Sequence, residues 1–334
     1  MVEAKPTRRR VLTLFALGAG ATCFGGGATT ATREWRGAAM GAQVRLLFAG
    51  RGAAAPEAAV AEIMAEIERL ERIFSLSRAD SEISRLNAEG RLVSPSLDFL
   101  SVLDLCARVH KASGGLFDPT VQPLWDFFIG WYKRNLDRAA PYGPDFDAAR
   151  LKVGFDGIMF DADRIDLRDH RRVTLNGVAQ GYVTDRGVEI LKRRGFDRVF
   201  VDLGEMRAIG TPKQGFWKVD LPNKRDAIRL AGGALATSAA SGMVFAHNGD
   251  HHLFDPRTGR PARHWAWLTA HAPSAVVADA LSTALYVAPR EKIRAILAAF
   301  PGAAAWAADM DGRVVRWSDR TPIEAASRRR RRGV

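Results

Sequence analysis

RVTLNGVAQGYVTDRGVEILKRRGFDRVFVDL, residues 172–203, is the stretch that settles the fold class. Arg172 to Leu175 is strand-like, Asn176-Gly177 is a turn, a helix runs to about Arg194, Gly195 stops it, and Arg198 to Leu203 is a strand again. Upstream, Gly41 to Phe48 reads as a strand with residues 49–56 as its exit loop. From Glu57 to Ile73 the apolar positions Val60, Ile63, Met64, Ile67 and Leu70 follow helical spacing, and a second helix runs from Ser96 to Lys111, stopped by Ser113-Gly114-Gly115. Residues 130–150, with Pro141, Gly143 and Pro144, read as a surface insertion. Downstream come short strands at 207–210, 216–221, 233–237 and near 244–254, a helix at 290–299, and a strand pair at 304–307 and 313–317. Scattered helices among antiparallel-looking strands, with no repeat of fixed period, predict an α+β fold with mixed, largely antiparallel sheets.

At 334 residues the chain exceeds the ~100–200 of one ordinary domain, so one large or two intimately joined units are expected. The formal charge of +12 is concentrated at the ends, in Lys5, Arg8, Arg9 and Arg10 and in the run Arg328 to Arg332. The body between is only mildly basic, which argues against a nucleic-acid partner. Residues 1–32 read as an export signal: Thr7-Arg8-Arg9-Arg10 precedes a weakly hydrophobic Gly/Ala-rich stretch too weak for a membrane span. Consecutive arginines with modest hydrophobicity favour the twin-arginine route and a periplasmic destination. The mature chain is then 33–320 with a basic tail at 321–334, and no integral membrane segment is expected. Without Cys23 only Cys106 remains, which excludes an internal disulfide and a cysteine zinc cluster.

The chemistry concentrates in a few polar islands. Within Ala272-Pro-Ser-Ala-Val-Val-Ala-Asp-Ala-Leu-Ser-Thr-Ala-Leu-Tyr286, Asp279 and Thr283 lie four apart and share one face of an apolar helix. Burying both without hydrogen bonds or a cation costs several kcal/mol, so they need a partner. Ser81 to Asn87 reads as a capped turn entering a short helix. Gly114-Gly115 permits close backbone approach, and Asp118-Pro119 fixes a turn with a carboxylate at its corner. Asn176-Gly177, where a strand enters a helix, offers free backbone groups to a phosphate or a cation. His251-His252 precedes the turn Asp255-Pro256-Arg257-Thr258-Gly259; on a strand the two rings point to opposite faces, and the spacing does not make a transition-metal site. Singly, each island reads as structural.

In order, SEISRLN (81–87), GLFDPTV (115–121), NGVAQGY (176–182), VDLGE (201–205), ATS (236–238), HLFDPRTG (252–259) and the 272–284 segment resemble the successive signatures of the ApbE-type FAD:protein FMN transferases, over about residues 36–318. That resemblance implies a single unit of two intimately packed α/β subdomains, T-fold-like. It implies cleavage of FAD as substrate with Mg2+ and transfer of FMN through a phosphoester to Thr or Ser of an acceptor flavoprotein, releasing AMP. By position it places Gly177 (through its carbonyl), Asp279, Ser282 and Thr283 at the metal. Met40, Leu116, Phe117, Asp118, Thr174, Gln180 and Phe254 fall at the FAD site, and His252 becomes the base for the acceptor hydroxyl. The acceptor it implies is a subunit of a membrane redox complex, such as a nitrous-oxide-reductase or NADH:quinone-type system. The chain departs from the family at Ser77, where an aromatic often stacks on the flavin or adenine, and at Gln180, usually Lys or Glu. FAD pyrophosphatase activity and a non-catalytic role as a flavin-binding maturation factor are the alternatives.

Overall fold

The computed structural model describes residues 33–318 apart from 40–41, 50–55, 136–137, 141 and 246–248. The proposed signal, the basic tail and Met40 lie outside the described residues. In chain order the strands are β1 (Arg33–Ala39), β2 (Ala42–Phe48), β3 (Arg91–Val93), β4 (Ile158–Phe160), β5 (Arg164–Leu167), β6 (Val199–Asp202), β7 (Met206–Ile209), β8 (Trp217–Asp220), β9 (Ala227–Leu230), β10 (Gly233–Ala239), β11 (Trp267–Ala272), β12 (Ala304–Ala308) and β13 (Val314–Ser318). The α-helices are α1 (Pro56–Phe74), α2 (Glu82–Glu89), α3 (Leu97–Ser113), α4 (Gln122–Tyr132), α5 (Pro144–Arg150), α6 (Ala179–Arg193), α7 (Ala275–Val287) and α8 (Ile293–Ala298).

Eight strands form one sheet in the order β1-β2-β6-β7-β10-β11-β12-β13, and every pairing in it is antiparallel. Its two faces are both covered, and the two-residue period of a strand divides the side chains between them. Val199 and Val201 of β6 enter the main core with helices α1, α3, α6 and α7, while Phe200 faces Trp217, Val219 and Ile228 of the β8–β9 hairpin. β11 alternates likewise, with Leu268 and Ala270 toward the helices and Trp267 toward the hairpin. The same core continues through Leu92, Ile158 and Ile165 of the small sheet β3-β5-β4, so the expected subdomains are halves of one packed body.

Helix ends follow their sequence signals. Ser81 and Ser96 accept hydrogen bonds from Ser84 N and Phe99 N at 3.1 and 3.2 Å, and Gly90 and Gly114 close α2 and α3 with φ of 71° and 62°. Three expectations are corrected. Residues 172–175 are not a strand: Val173 exchanges 2.7 and 2.8 Å hydrogen bonds with the Asn87 amide, and Thr174 N donates to Pro119 O at 2.8 Å, so their backbone groups are spent outside any sheet. The 244–254 segment pairs only through isolated bridges among the described residues, Val244 with His251 and, at its end, Phe254 with Pro261. Residues 130–150 are no mere surface insertion, since Tyr132, Ala140 and Phe146 are buried with Leu124, Phe128 and Phe254 in an aromatic cluster of their own.

The tightest helix contact is between α6 and α7. A Cβ on Gly181 would lie 2.3 Å from the Ala275 carbonyl oxygen and 2.7 Å from Val276 Cα, backbone atoms that cannot yield by a rotamer change. Gly181→Ala is therefore expected to destabilise the protein by about 1–3 kcal/mol or more, read as a lower denaturant midpoint, despite alanine's better helix propensity.

Candidate active site at the junction of two helices

α7 has no cap of its own: Ser274 makes no side-chain hydrogen bond to its first turn. The cap comes from α6, where the Asp185 carboxylate accepts Ala275 N at 2.8 Å and Val276 N at 3.0 Å and is ion-paired to Arg207. One turn earlier, Gly181 N donates to Asp279 Oδ2 at 2.9 Å. Gly181 lies in the first turn of α6, so its N–H has no acceptor inside the helix, whose first bond runs from Tyr182 N to Val178 O. The Gly177 carbonyl, in the turn that precedes the helix, receives no hydrogen bond among the described residues.

Two more oxygens at this junction, Asp279 Oδ1 and the Thr283 hydroxyl, are likewise without hydrogen bonds among the described residues, and a Cβ on Gly177 would sit 2.9 Å from Thr283 Oγ1. A carboxylate, a hydroxyl and a carbonyl are hard donors of the type Mg2+ takes. Among the described residues no group of three His, Cys, Asp or Glu forms a metal cluster, so any cation here relies on this mixed set and on substrate or water oxygens. Ser282 does not join it. Its hydroxyl donates to Asp279 O at 2.9 Å and meets Ser238 Oγ at 2.8 Å, on the side facing β10.

The surroundings are acidic and dry. Burial pushes the Asp279 carboxyl up to about 7, aided by the charge of Asp185 and opposed by the Gly181 N–H. Burial likewise raises Glu205 well above the usual range, with the charges of Asp279 and Asp202 adding to it, although Thr237 N–H bonds its carboxyl. Asp202 is pushed up to about 6, again chiefly by burial. The Gln180 amide packs against Gly204 beside this cluster. A cation would relieve the mutual repulsion of these carboxylates, which is a physical reason for the site to take one.

Asp118 lies at a different post. Oδ1 accepts Thr120 N and Thr120 Oγ1 at 2.8 and 2.6 Å, and Oδ2 accepts Phe155 N at 2.9 Å, so the carboxylate holds its own loop together. Burial nevertheless raises its pKa. Thr174 is tied to the same loop through Pro119, and Leu116 and Phe117 are buried in the main core. Cys106, buried in α3, feels the charges of both Asp118 and Asp279, which brings the loop and the α7 carboxylate into one neighbourhood. Phe254 belongs to the aromatic cluster with Trp125 and Phe128.

The adjacent histidines have opposite tautomers. His251 Nε2 faces Ala262 O at 2.8 Å and must donate, while its Nδ1 accepts Leu253 N at 3.2 Å. His252 Nδ1 faces Met243 O at 3.1 Å and must donate, which leaves Nε2 with a free lone pair. Burial lowers the His252 pKa to about 4, so the ring is neutral at pH 7 and able to accept a proton.

A family model described as the ApbE family matches residues 40–307. The chain belongs to the ApbE family. Among its ApbE relatives, the FAD:protein FMN transferase of Haemophilus influenzae is 30% identical over 273 residues, covering 75% of this chain and 78% of the relative. That of Treponema pallidum is 27% identical over 290 residues, covering 77% and 78%. The ApbE crystal structure from Thermotoga maritima superposes with a TM-score of 0.75 at 27% identity, over 85% of this chain and 96% of that one. The flavin transferase ApbE of Vibrio cholerae has the same fold, with a TM-score of 0.74 at 23% identity over 86% and 97%.

Two positions that decide the geometry, Gly181 and Asp185, carry no signal of their own in the sequence; both lie in the NGVAQGYVTD stretch, but nothing local says that they act on a helix a hundred residues away. The acidity of the site gives a direct test. Asp279 keeps its proton up to about 7 when folded but loses it near 3.8 when unfolded, so its contribution to stability is present below the lower value and is lost as pH rises through the higher. Metal-free protein is expected to lose stability between about pH 4 and 7, and Asp279→Asn to flatten that slope by at least ~1 kcal/mol, read from denaturation midpoints across the range.

Proposed function

We propose that this chain is a Mg2+-dependent FAD:protein FMN transferase, exported to the periplasm, that attaches FMN to Thr or Ser of an acceptor flavoprotein in a membrane redox complex. The reading is supported by membership of the ApbE family and by the shared name of the curated relatives. The observation that carries the chemistry is the trio of oxygens without hydrogen bonds among the described residues, Gly177 O, Asp279 Oδ1 and Thr283 Oγ1, where the turn before α6 meets α7.

Mg2+ held by that trio would neutralise the FAD pyrophosphate and the AMP that leaves. The protein's own residues do the remainder. His252 Nε2 takes the proton from the acceptor hydroxyl as its oxygen attacks the FMN phosphorus, and the bond from that phosphorus to the AMP phosphate breaks. The Met243 carbonyl, by fixing Nδ1–H, keeps Nε2 in the accepting form throughout. The Asp118 carboxylate and Thr174 hold the 115–121 loop beside the site rather than touching the reacting atoms. Export rests on the Arg8-Arg9-Arg10 signature, and no described helix is long and apolar enough to cross a membrane.

Incubation with FAD, Mg2+ and an acceptor domain separates the outcomes: released AMP with a fluorescent acceptor band on a denaturing gel is expected, AMP alone would mean hydrolysis, and bound intact FAD would mean a binding protein. His252→Ala is expected to slow transfer by about 100-fold or more while FAD affinity changes little. Equal losses in both would remove the base from the account. At saturating Mg2+ the acid limb of the transfer rate should fall near pH 4, following His252, and not near the ordinary imidazole value of about 6.5.

A further inference from the structure

His252 sits on a segment that the sheet does not hold. Among the described residues the strand pairing nearby is limited to the Val244–His251 and Phe254–Pro261 bridges, so the direction of its ring depends on other contacts. The strongest of these converge two residues earlier, on Asp250. Its carboxylate is 5% exposed, accepts Tyr132 Oη at Oδ2 at 2.6 Å and Arg263 Nη2 at Oδ1 at 3.2 Å. Tyr132 Oη is itself oriented, since it accepts Ala140 N at 3.1 Å and so keeps its proton for Asp250. The Asp250 carbonyl accepts Phe245 N at 2.8 Å, beside the Val244–His251 bridge and two residues from Met243. Met243 O then receives both His252 N at 3.3 Å and His252 Nδ1 at 3.1 Å.

We propose that Asp250 is a positioning residue for His252, acting through the Phe245–Asp250 and Met243–His252 backbone contacts and gripped by Tyr132 of α4 and Arg263. The inference rests on the base role assigned above to His252. It also explains why the α4–α5 region is built into the molecule. Helix α4 carries Tyr132, and its Trp125 ring lies 5.6 Å from His252, so one face of the imidazole and the Asp250 carboxylate are both fixed from this side. The partner strand completes the frame, because Ala262, next to Arg263, accepts His251 Nε2–H and donates its own N–H to Leu253 O at 2.8 Å. Of the charged and titratable groups, His251 acts on the His252 ring while Asp250 and Arg263 act on His251, and none of the three belongs to the α7 metal-ligand set. A purely structural clamp would, when broken, lower every activity together. A positioning clamp changes the imidazole and the proton transfer while leaving FAD and Mg2+ binding in place.

The test uses Asp250→Ala, Asp250→Asn and Tyr132→Phe in the full mature chain. Side-chain 15N NMR of His252 is expected to show the wild-type ring as the Nδ1–H tautomer titrating near 4, and in Asp250→Ala a shift of about one unit or more toward 6.5 with mixing of tautomers. Asp250→Asn keeps an acceptor for Tyr132 and should shift less, and Tyr132→Phe gives an intermediate effect if the alanine variant does not fold. In transfer assays Asp250→Ala should lower kcat at least ~10-fold, with the KM for FAD and the Mg2+ affinity within about two-fold of wild type. An unchanged His252 titration and tautomer in folded variants, or a parallel loss of FAD binding and kcat, would overturn the proposal. If wild-type protein failed to transfer FMN, the functional reading would fall, while the NMR comparison would still decide whether Asp250 orients His252.

Discussion

The contact on which the structure depends is the hydrogen bond from Gly181 N to Asp279 Oδ2, made across the closest approach of α6 and α7. It does two things at once. It satisfies one oxygen of a buried carboxylate, and it gives a partner to a first-turn N–H of α6 that has none within its own helix. Asp185, four residues on from Gly181, fastens the start of α7 to the same helix, so the spacing of the two helices is fixed at two levels. Moving α7 by a methyl group would separate Asp279 and Thr283 from Gly177.

The electrostatic cost of this arrangement falls on the acids. Asp202, Glu205 and Asp279 are gathered where water is scarce, and burial pushes all three toward the neutral form. Such a cluster is expensive without a cation and becomes favourable with one, which links binding to protonation. His252 packs against the Trp125 ring, and there burial has the opposite effect on a histidine and keeps it free of its second proton. Desolvation therefore acts in opposite directions on these carboxyls and on this imidazole.

Much of the layout is legible in the sequence. The 57–73 and 96–111 helices, the 199–202 strand and the 304–317 pair can be read because their apolar spacing, caps and glycine stops are local signals. β11 is not legible, because Trp267 to Ala272 is buried throughout and its alternate polar residues, Thr269 and His271, mark no solvent face. β3, β4 and β5 are three or four residues long and carry charges such as Arg91, Arg164 and Asp166, too short for a period to show. Residues 172–175 have strand composition, yet the Asn87 amide and Pro119 take their hydrogen bonds. At the site, Asp279 and Thr283 are visible as polar residues on one apolar face, and Gly177 comes from the family resemblance. That Ser282 turns to β10 and that Asp118 serves its own loop depend on partners 44 and 37 residues away, which no local pattern encodes.

The central claim is that Gly177, Asp279 and Thr283 hold one Mg2+. Calorimetric titration of metal-free mature protein with Mg2+, in the presence of a non-hydrolysable FAD analogue, measures it most directly. The account predicts one site per chain in the wild type, lost in Asp279→Ala and weakened in Thr283→Val, with far-ultraviolet circular dichroism unchanged in both. Undiminished Mg2+ binding by a folded Asp279→Ala protein would contradict it.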